Sequence, residues 1–242
     1  GPGWVENGLV EVVRGGRRAR VDGDRVRGKG GHARILDKGR QREVDILVGT
    51  QMIAKGHDFP GVTLVGVLQA EGSLYQPDFR AAERTFQVLS QVIGRAGRGE
   101  LAGRVLVQAV QPDHYAVACA AQHDYEQFYQ QELQYRQELG YPPYGHLAAV
   151  RLSAVTEPAL TEASEQAAAL IRTIKEEMGG RTEVLGPAPA PLYRLRGRFR
   201  SQILLKDAGR PSLHRLLARL RQALTLPASV RWVIDVDPVD LL

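Results

Sequence analysis

Three short apolar runs in the first half of the chain constrain its fold more than any other feature. They lie at residues 44–50, 62–68 and 103–109. Between the second and third runs, residues from about 79 to 96 carry apolar side chains at steps of three and four, which predicts a helix. Short buried strands interleaved with helices are typical of a parallel α/β sheet. We therefore predict an α/β domain over residues 1–110, in which residues 1–43 are atypically rich in glycine and arginine.

A different order of elements is predicted for the second half. Residues 111–145 read as a helical connector, whose polar helix over 124–139 is closed by Gly140-Tyr141-Pro142-Pro143. The patterns beyond it predict a strand at 147–154, a helix at 158–178, strands at 182–185 and 198–206, a helix at 211–224 and a strand at 229–236. The order β-α-β-β-α-β is that of the ferredoxin-like arrangement. A smaller α+β domain is thus expected over residues 146–242.

Composition excludes several classes of protein. No apolar run approaches the roughly 18–20 residues that span a bilayer, so we expect no contact with a membrane. The single cysteine, Cys119, has no partner for an internal disulfide, and no cluster of His and Cys has the spacing of zinc ligands, so no metal site is predicted. There is no charged-then-apolar leader, which favours a cytoplasmic protein. Gly1-Pro2 is read either as a cleavage scar or as the start of an excised piece.

The charge is unevenly distributed along the chain. The net charge of +5 combines a basic start (11 basic against 6 acidic side chains in residues 1–44) with an acidic middle (4 against 10 in 111–180) and a basic end (11 against 5 in 181–242). Nearly all the cations are arginines, whose planar guanidinium group suits phosphate. The pattern fits a polyanionic partner that touches more than one place. Arginine-rich solvated faces would give the same pattern.

The segment Gln91-Val92-Ile93-Gly94-Arg95-Ala96-Gly97-Arg98 carries the sharpest chemical signal. Arg95 and Arg98 are three residues apart and lie on one face if the helix continues through them. Two guanidinium groups on one face can hold a triphosphate and stabilise the charge that develops during γ-phosphoryl transfer. The alternative is that both arginines merely cap the C-terminus of a helix.

The loop at residues 48–60 follows the first apolar run. It offers the hydroxyl of Thr50, the backbone amides of Gly49 and Gly56, and the carboxylate of Asp58. In α/β sheets, ligands bind beyond the carboxyl ends of the strands, where this loop lies. Hydroxyl and amide groups there can bind the phosphates of a nucleic acid without reading its bases.

A second basic motif, Tyr193-Arg194-Leu195-Arg196-Gly197-Arg198-Phe199-Arg200, is expected to bind DNA. If the segment is one extended strand, its four arginines share one face by alternation. Beside them, Tyr193 could stack on a base, which together suits a nucleic acid. The alternative is a strand edge that charge protects against aggregation.

The two segments at 48–60 and 91–98 resemble motifs V and VI of superfamily-two helicases, which lie on the second RecA-like lobe. Further segments narrow the resemblance to the PriA family of primosomal replication-restart helicases, strongly over residues 44–242 and weakly over 1–43. These segments are 77–87, 140–144, 185–191 and 234–238. The resemblance implies a RecA-like lobe followed by a C-terminal domain similar to a small-subunit ribosomal protein.

The resemblance also implies roles for individual residues. Arg98 would be the arginine finger that reaches the γ-phosphate of ATP, with Arg95 and Gln91 beside it. Gly56 and Asp58 would face the nucleotide. ATP and Mg²⁺ are therefore the implied cofactors, while the zinc-binding module of the family is absent from this chain.

The implied partners are branched and single-stranded DNA, single-strand DNA-binding protein, and the replicative helicase or its loader. Thr50 would touch the phosphates of a single strand, and residues 146–242 would help to bind branched DNA. The resemblance favours a monomer associated with the nucleoid.

Several family features are missing from this chain. It has no G-x-x-x-x-G-K-[ST] motif and no Asp-Glu box, so it cannot be a complete ATPase. It also carries Gln69-Ala70-Glu71 where two aspartates are usual for the family. Three hypotheses follow: a DNA-binding platform for primosome assembly whose motor is lost, the rear half of an active 3′–5′ DNA helicase, or an RNA-binding protein.

Overall fold

The computed structural model describes residues 5, 8, 13, 15–21, 31–41, 43–50, 61–94 and 103–241. The chain divides into two compact units, Gly1–Ser73 with Glu83–Phe128, and Leu74–Ala82 with Tyr129–Leu242. The division into residues 1–110, 111–145 and 146–242 remains a prediction. Among the described residues, no helix is long and apolar enough to cross a membrane.

The described helices and strands follow the sequence patterns closely, with a few additions. In chain order they are β1 (Arg18–Val21), α1 (Gly31–Arg40), β2 (Ile46–Gly49), β3 (Leu64–Val67), α2 (Ala81–Ile93), β4 (Arg104–Val107), α3 (Tyr115–Ala121), α4 (Tyr125–Glu138), β5 (His146–Ala154), α5 (Glu157–Glu177), β6 (Glu183–Leu195), β7 (Arg198–Asp207), α6 (Arg210–Ala223) and β8 (Arg231–Val236). The sequence did not predict β1 or α1, and α3 was expected only as part of the helical connector over residues 111–145. β1 is only four residues long and carries two arginines, so it lacks an apolar run.

Parallel strand pairs form the sheets of the first unit. β1 pairs with β2 and β3 pairs with β4, each over four residues, and the described strands make two separate two-stranded sheets. Parallel pairing requires a crossover connection, and α2 lies between β3 and β4 in the chain. The predicted parallel pairing and the helix between β3 and β4 are confirmed, whereas the single sheet that we expected is seen in the described residues as two separate strand pairs.

An ion pair ties the start of β1 to the start of β2. The Arg17 guanidinium donates hydrogen bonds of 3.1 and 2.9 Å to the two carboxylate oxygens of Asp45, and the Arg17 backbone N–H donates a third of 2.8 Å. These bonds hold the pKa of Asp45 at about 2, below its ordinary value, because they favour the charged carboxylate. The pair fixes the parallel register at one end of the sheet.

Aromatic side chains pack beside the helices of the first unit. The rings of Phe86 and Phe128 are stacked with centroids 4.1 Å apart, and Tyr115 adds a third ring 5.8 Å from Phe128.

The Nδ1 atom of His114 accepts a hydrogen bond of 3.2 Å from the backbone of Ala116 and so caps the N-terminus of α3. The helix predicted over residues 79–96 is confirmed for Ala81–Ile93 as α2, and residues 95 and 96 lie outside the described residues.

The second unit is built on a four-stranded antiparallel sheet with the strand order β6-β7-β5-β8. Helices α5 and α6 pack on one face of this sheet. On β5, Ala148, Val150, Leu152 and Ala154 are buried in the same core cluster as both helices, so these alternate residues face the helices. The predicted order β-α-β-β-α-β is observed in the described elements.

Helix α5 buries one continuous face because its apolar residues recur at steps of three and four. These residues are Leu160, Ala163, Ala167, Ala168, Ile171 and Ile174. One polar pair lies within this interface, where the hydroxyl groups of Ser164 and Ser201 are 2.5 Å apart. One hydroxyl donates a hydrogen bond and the other accepts it, which offsets part of the cost of burying them.

Strand β6 extends much further than the sequence predicted. The prediction ended this strand at Leu185 because a proline-rich segment follows, but β6 continues to Leu195. Its pairing with β7 shifts register after Leu185 and again after Pro189. Prolines are tolerated because β6 is an edge strand, where one side of the backbone needs no partner in the sheet.

Residues Leu74–Ala82 and the C-terminal residues Pro238–Leu241 form a C-terminal clasp in the second unit. The carboxylate of Asp78 accepts a hydrogen bond of 2.9 Å from the backbone of Arg80 and one of 3.2 Å from the backbone of Leu241. The Arg80 guanidinium donates a hydrogen bond of 2.7 Å to the carbonyl oxygen of Pro238. One buried carboxylate and one cation thus fasten the end of the chain.

A stack of rings and cations supports this clasp. The rings of Phe79 and Tyr141 are parallel, with centroids 5.0 Å apart. The guanidinium groups of Arg80 and Arg136 lie 4.2 and 5.2 Å from the Phe79 centroid, and the ammonium of Lys206 lies 5.0 Å from the Tyr141 centroid. Such contacts each contribute about 0.5–1 kcal/mol at exposed sites. The Pro77–Gln87 segment therefore has a structural role in the second unit through its first residues.

Candidate nucleic-acid interface

The prediction of a single strand with four arginines on one face is wrong. The chain reverses at Arg196 and Gly197, which both have positive φ, of 50° and 77°. Two successive residues with positive φ are typical of the type I′ turn that closes a two-residue β-hairpin. Arg194 therefore belongs to β6, Arg196 to the turn, and Arg198 and Arg200 to β7.

The turn separates the arginines onto different faces of the sheet. Arg194 is paired with Phe199, which packs against the core on the helix side, so Arg194 lies on that side too. Arg198 and Arg200 alternate with Phe199 along β7 and lie on the opposite face. Only two of the four arginines share a face in the way that the sequence predicted.

The face of the sheet opposite the helices brings these two arginines together with a third. Arg200 is paired with Ser153 of β5, and Ser153 is paired on its other side with Arg231 of β8. Residues paired in this way share a face, so Arg200, Ser153 and Arg231 form a row across three strands. We call Arg198, Arg200, Arg231 and Ser153 the cationic row.

Arg198 is held in place by neighbouring polar atoms. Its guanidinium donates hydrogen bonds of 2.7 Å to the carbonyl oxygen of Ser153 and 2.9 Å to that of Ser229, and a longer one of 3.3 Å to the Ser153 hydroxyl. These acceptors carry no net charge, so they fix the guanidinium without neutralising it. Arg198 therefore contributes a positive field from a fixed position.

The other end of the same face is neutral to acidic. Arg151 lies on this face one row beyond Ser153, and its guanidinium is 3.3 Å from the carboxylate of Asp235 and 4.0 Å from that of Asp240. It also donates a hydrogen bond of 2.6 Å to the backbone carbonyl of Asp240. Arg151 thus holds the C-terminal residues against the sheet, and the positive charge is concentrated at the cationic row.

Tyr193 and Arg194 have partners within the second unit. The Tyr193 hydroxyl donates a hydrogen bond to the carboxylate of Glu157, which raises the pKa of Tyr193 above its ordinary value. Its ring centroid lies 5.5 Å from that of Phe199, and the Arg194 guanidinium lies 5.1 Å from the same ring. Base stacking by Tyr193 stays a prediction, since its ring and hydroxyl already support the hairpin from the helix side.

Most of the residues assigned to the nucleotide fall outside the described part of the chain. Gly56, Asp58, Arg95 and Arg98 belong to this group. Thr50 is exposed and directly follows β2, at the carboxyl end of the strand as predicted. Gln91 is exposed in the last turn of α2.

The unusual Gln69-Ala70-Glu71 segment has a structural explanation. Glu71 is buried, and one oxygen of its carboxylate accepts a hydrogen bond from the backbone of Val110, just beyond β4. The backbone of Ala70 donates a bond of 3.1 Å to the carbonyl of Gln108. The segment thus joins the ends of β3 and β4. Among the described residues, no group of three or more His, Cys, Asp or Glu side chains could hold a metal ion.

Sequence reasoning missed Arg231. The alternation in Arg231-Trp232-Val233 contains the signal, because Trp232 packs against the core and its neighbours must face the other way. Placing Arg231 beside Arg200, however, requires the strand order β7-β5-β8, and the two residues are 31 positions apart.

Two family models match the chain. Residues 16–100 match the helicase conserved C-terminal domain, and residues 137–239 match the primosomal protein N C-terminal domain. Three curated relatives, all called replication restart protein PriA, show the same similarity over nearly the whole chain. The chain belongs to the PriA family.

The similarity to PriA proteins extends across distant bacteria. The relative from Bacillus subtilis (strain 168) is 44% identical over 97% of this chain and 29% of its own length. Those from Synechocystis sp. and Treponema pallidum are 41% and 39% identical, over 93% and 100% of this chain and 26% and 36% of their own lengths. The chain therefore spans about a quarter to a third of these PriA proteins, and its matches to the two domain models identify it as the C-terminal portion.

Proposed function

We propose that this chain is the DNA-binding C-terminal portion of a replication restart protein. In this proposal the cationic row of the second unit binds the phosphate backbone of DNA. The supporting observation is the row itself, in which Arg200 and Arg231 flank Ser153 across three strands. Strands are spaced about 4.8 Å apart, which puts the two arginine backbones about 10 Å apart. Two guanidinium groups at that spacing can engage separate phosphates of one strand.

The topology of the sheet also supports the DNA-binding proposal. The strand order β6-β7-β5-β8, numbered within the domain, is 2-3-1-4, with both helices on one face. We assign this arrangement to the ferredoxin-like class, and the matched helicase domain of residues 16–100 to a RecA-like lobe. A ferredoxin-like sheet has one face free of helices, and here that face carries the cationic row.

The family suggests the function that we propose for the whole protein. Relatives named replication restart protein PriA support a role at stalled forks and D-loops, where the protein would promote primosome assembly and reloading of the replicative helicase. Single-strand DNA-binding protein and the replicative helicase or its loader are the proposed partners. The proposed form is a monomer in the cytoplasm, associated with the nucleoid.

An active motor remains the second candidate, favoured by the match of residues 16–100 to the helicase conserved C-terminal domain. In this case Arg95 and Arg98 would complete an ATP and Mg²⁺ site whose other half belongs to a preceding lobe. The test is ATP hydrolysis by the protein extended to the length of its relatives, with forked DNA present. Robust DNA-stimulated hydrolysis would establish the motor, and its absence would favour a platform without one.

The DNA-binding proposal is tested with the double variant R200Q/R231Q. Each phosphate contact contributes about 0.9 to the slope of log affinity against log salt, so losing two should lower the slope by about 1.8. Between 50 and 200 mM salt, the affinity of the variant for forked DNA should then fall roughly tenfold less than that of the unchanged chain.

The matched control is R194Q/R196N, which removes the same charge from the helix side and the turn. Asparagine is chosen at position 196 because it tolerates positive φ. This control should keep most of the salt slope. An unchanged slope for R200Q/R231Q, or an equal loss in both variants, would refute the role of the cationic row.

A further inference from the structure

The tip of the β6-β7 hairpin exposes apolar side chains beside the cationic row. Leu192 and Leu195 are 50% and 46% exposed, although leucine is usually buried. Leu195 is paired with Arg198, so it lies on the same face of the sheet as the cationic row. The carbonyl oxygen of Leu192 accepts a hydrogen bond of 3.5 Å from Arg200.

The hairpin presents these leucines from a fixed support. The type I′ turn at Arg196 and Gly197 matches the twist of the strands that it joins. Behind it, the Phe199 ring packs against the core and is covered by Tyr193 and Arg194. In front, Arg198 donates hydrogen bonds to the carbonyl oxygen of Ser153 in β5 and to that of Ser229 just before β8. The tip is therefore anchored from both faces of the sheet.

The combination of apolar and cationic groups indicates the kind of nucleic-acid structure that fits. Within a continuous duplex, base faces are covered by neighbouring base pairs, and a protein reaches only backbone and groove edges. Base faces become accessible where strands separate. Proteins that insert apolar wedges such as leucine into a continuous duplex must first unstack a base step, which costs free energy. Where the strands are already separated, leucine can pack against a base face without that cost. Residues 192–200 carry four arginines and no acidic side chain, which suits phosphates on either side of such a point.

We propose that the hairpin tip is a junction sensor, in which Leu192 and Leu195 pack against the first unpaired bases where a DNA duplex opens into single strands. The inference rests on the proposed function, because Arg200 and Arg231 hold the phosphates next to that point. The cationic row supplies affinity for any duplex, whereas the leucines supply preference for a branch.

The test compares a blunt duplex with the same duplex carrying single-stranded arms, using the double variant L192A/L195A. Loss of the apolar contact should lower affinity for the forked DNA roughly 10- to 100-fold while affinity for the blunt duplex is unchanged. The matched control is V233A, which shortens another exposed apolar side chain of the same open face, 57% exposed and away from the hairpin tip. This control should keep the preference for the fork.

A second measurement reports the contact directly. A 2-aminopurine base placed at the first unpaired position should change its fluorescence when the unchanged chain or V233A binds, and show no such change with L192A/L195A at saturation. The side chains are exposed, so the variants should keep the thermal unfolding midpoint of the unchanged chain.

The outcomes separate the two proposals. If duplex binding depends on Arg200 and Arg231 but L192A/L195A keeps full preference for the fork and the fluorescence change, the junction sensor is wrong and the cationic row stands. If R200Q/R231Q binds both DNAs as well as the unchanged chain, the proposed function itself fails.

Discussion

Replacing Asp78 with asparagine should destabilise the second unit by more than any change of an exposed acidic residue. Asp78 is only 7% exposed, and its carboxylate accepts hydrogen bonds from the backbones of Arg80 and Leu241. Asparagine has the same shape but only one accepting oxygen. Its amide NH₂ group must then oppose one of the two backbone N–H groups, donor against donor.

The expected cost follows from these two bonds. A hydrogen bond to a charged group contributes about 1.5–3 kcal/mol, and a neutral one about 0.5–1.5 kcal/mol. The variant converts one charged bond to a neutral one and leaves one buried donor unsatisfied, so the free energy of unfolding should fall by about 2–3 kcal/mol. With a urea dependence of roughly 1–3 kcal/mol per molar, the unfolding midpoint should shift by about 0.7–3 M.

Trp232 provides the signal for this measurement, because it packs against the core of the second unit. The other tryptophan, Trp4, is replaced by phenylalanine in every variant so that fluorescence reports Trp232 alone. The matched control is D237N, which removes the same charge from an exposed residue of the same unit. Its free energy of unfolding should change by less than about 0.5 kcal/mol. If D78N and D237N unfold at the same urea concentration, the C-terminal clasp does not stabilise the unit.

Three further predictions concern stability. S164A and S201A should each lower the free energy of unfolding in urea by about 1–3 kcal/mol, whereas the double variant should lower it by little more than either alone. Additive losses would contradict a hydrogen bond between the two hydroxyl groups. G145A should lower the thermal midpoint more than G197A, because a Cβ at Gly145 collides with a backbone carbonyl while one at Gly197 meets only positive φ; the reverse order would contradict this. Asp45, whose pKa of about 2 lies below that of the unfolded chain, should stabilise the fold above about pH 4 and lose that contribution as the pH falls towards 2. NMR titration of its carboxyl checks the pKa, and D45N should abolish this part of the acid dependence of stability.

Periodicity predicted the elements of the second unit well. Helix α5 was expected at residues 158–178 and lies at Glu157–Glu177, and β5 was expected at 147–154 and lies at His146–Ala154. Helix α5 and the alternate residues of β5 that face it contribute to a single core cluster, so the apolar spacing records which residues face that core. The failure at β6 has the opposite cause. Its prolines argue against a strand, and only its position at the edge of the sheet makes them acceptable.

The hairpin at Arg196 and Gly197 was misread because alternation alone cannot detect a reversal of the chain. With a two-residue turn, the arginines still alternate in the linear sequence, although Arg198 and Arg200 belong to a second strand. A glycine was present as a turn signal, but arginine at a position of positive φ is uncommon, and this weakened the signal.

The sequence by itself determined the family, the order of elements in the second unit and the excess of arginine near the end of the chain. These depend on local patterns and on motifs read in linear order. Only the tertiary structure decided which arginines act together. Ser153, Arg200 and Arg231 become neighbours because β5 pairs with both β7 and β8, and strand order depends on how the whole chain packs its core. The surface that we propose to bind DNA is therefore formed by several strands of the sheet together, and no single segment of the sequence contains it.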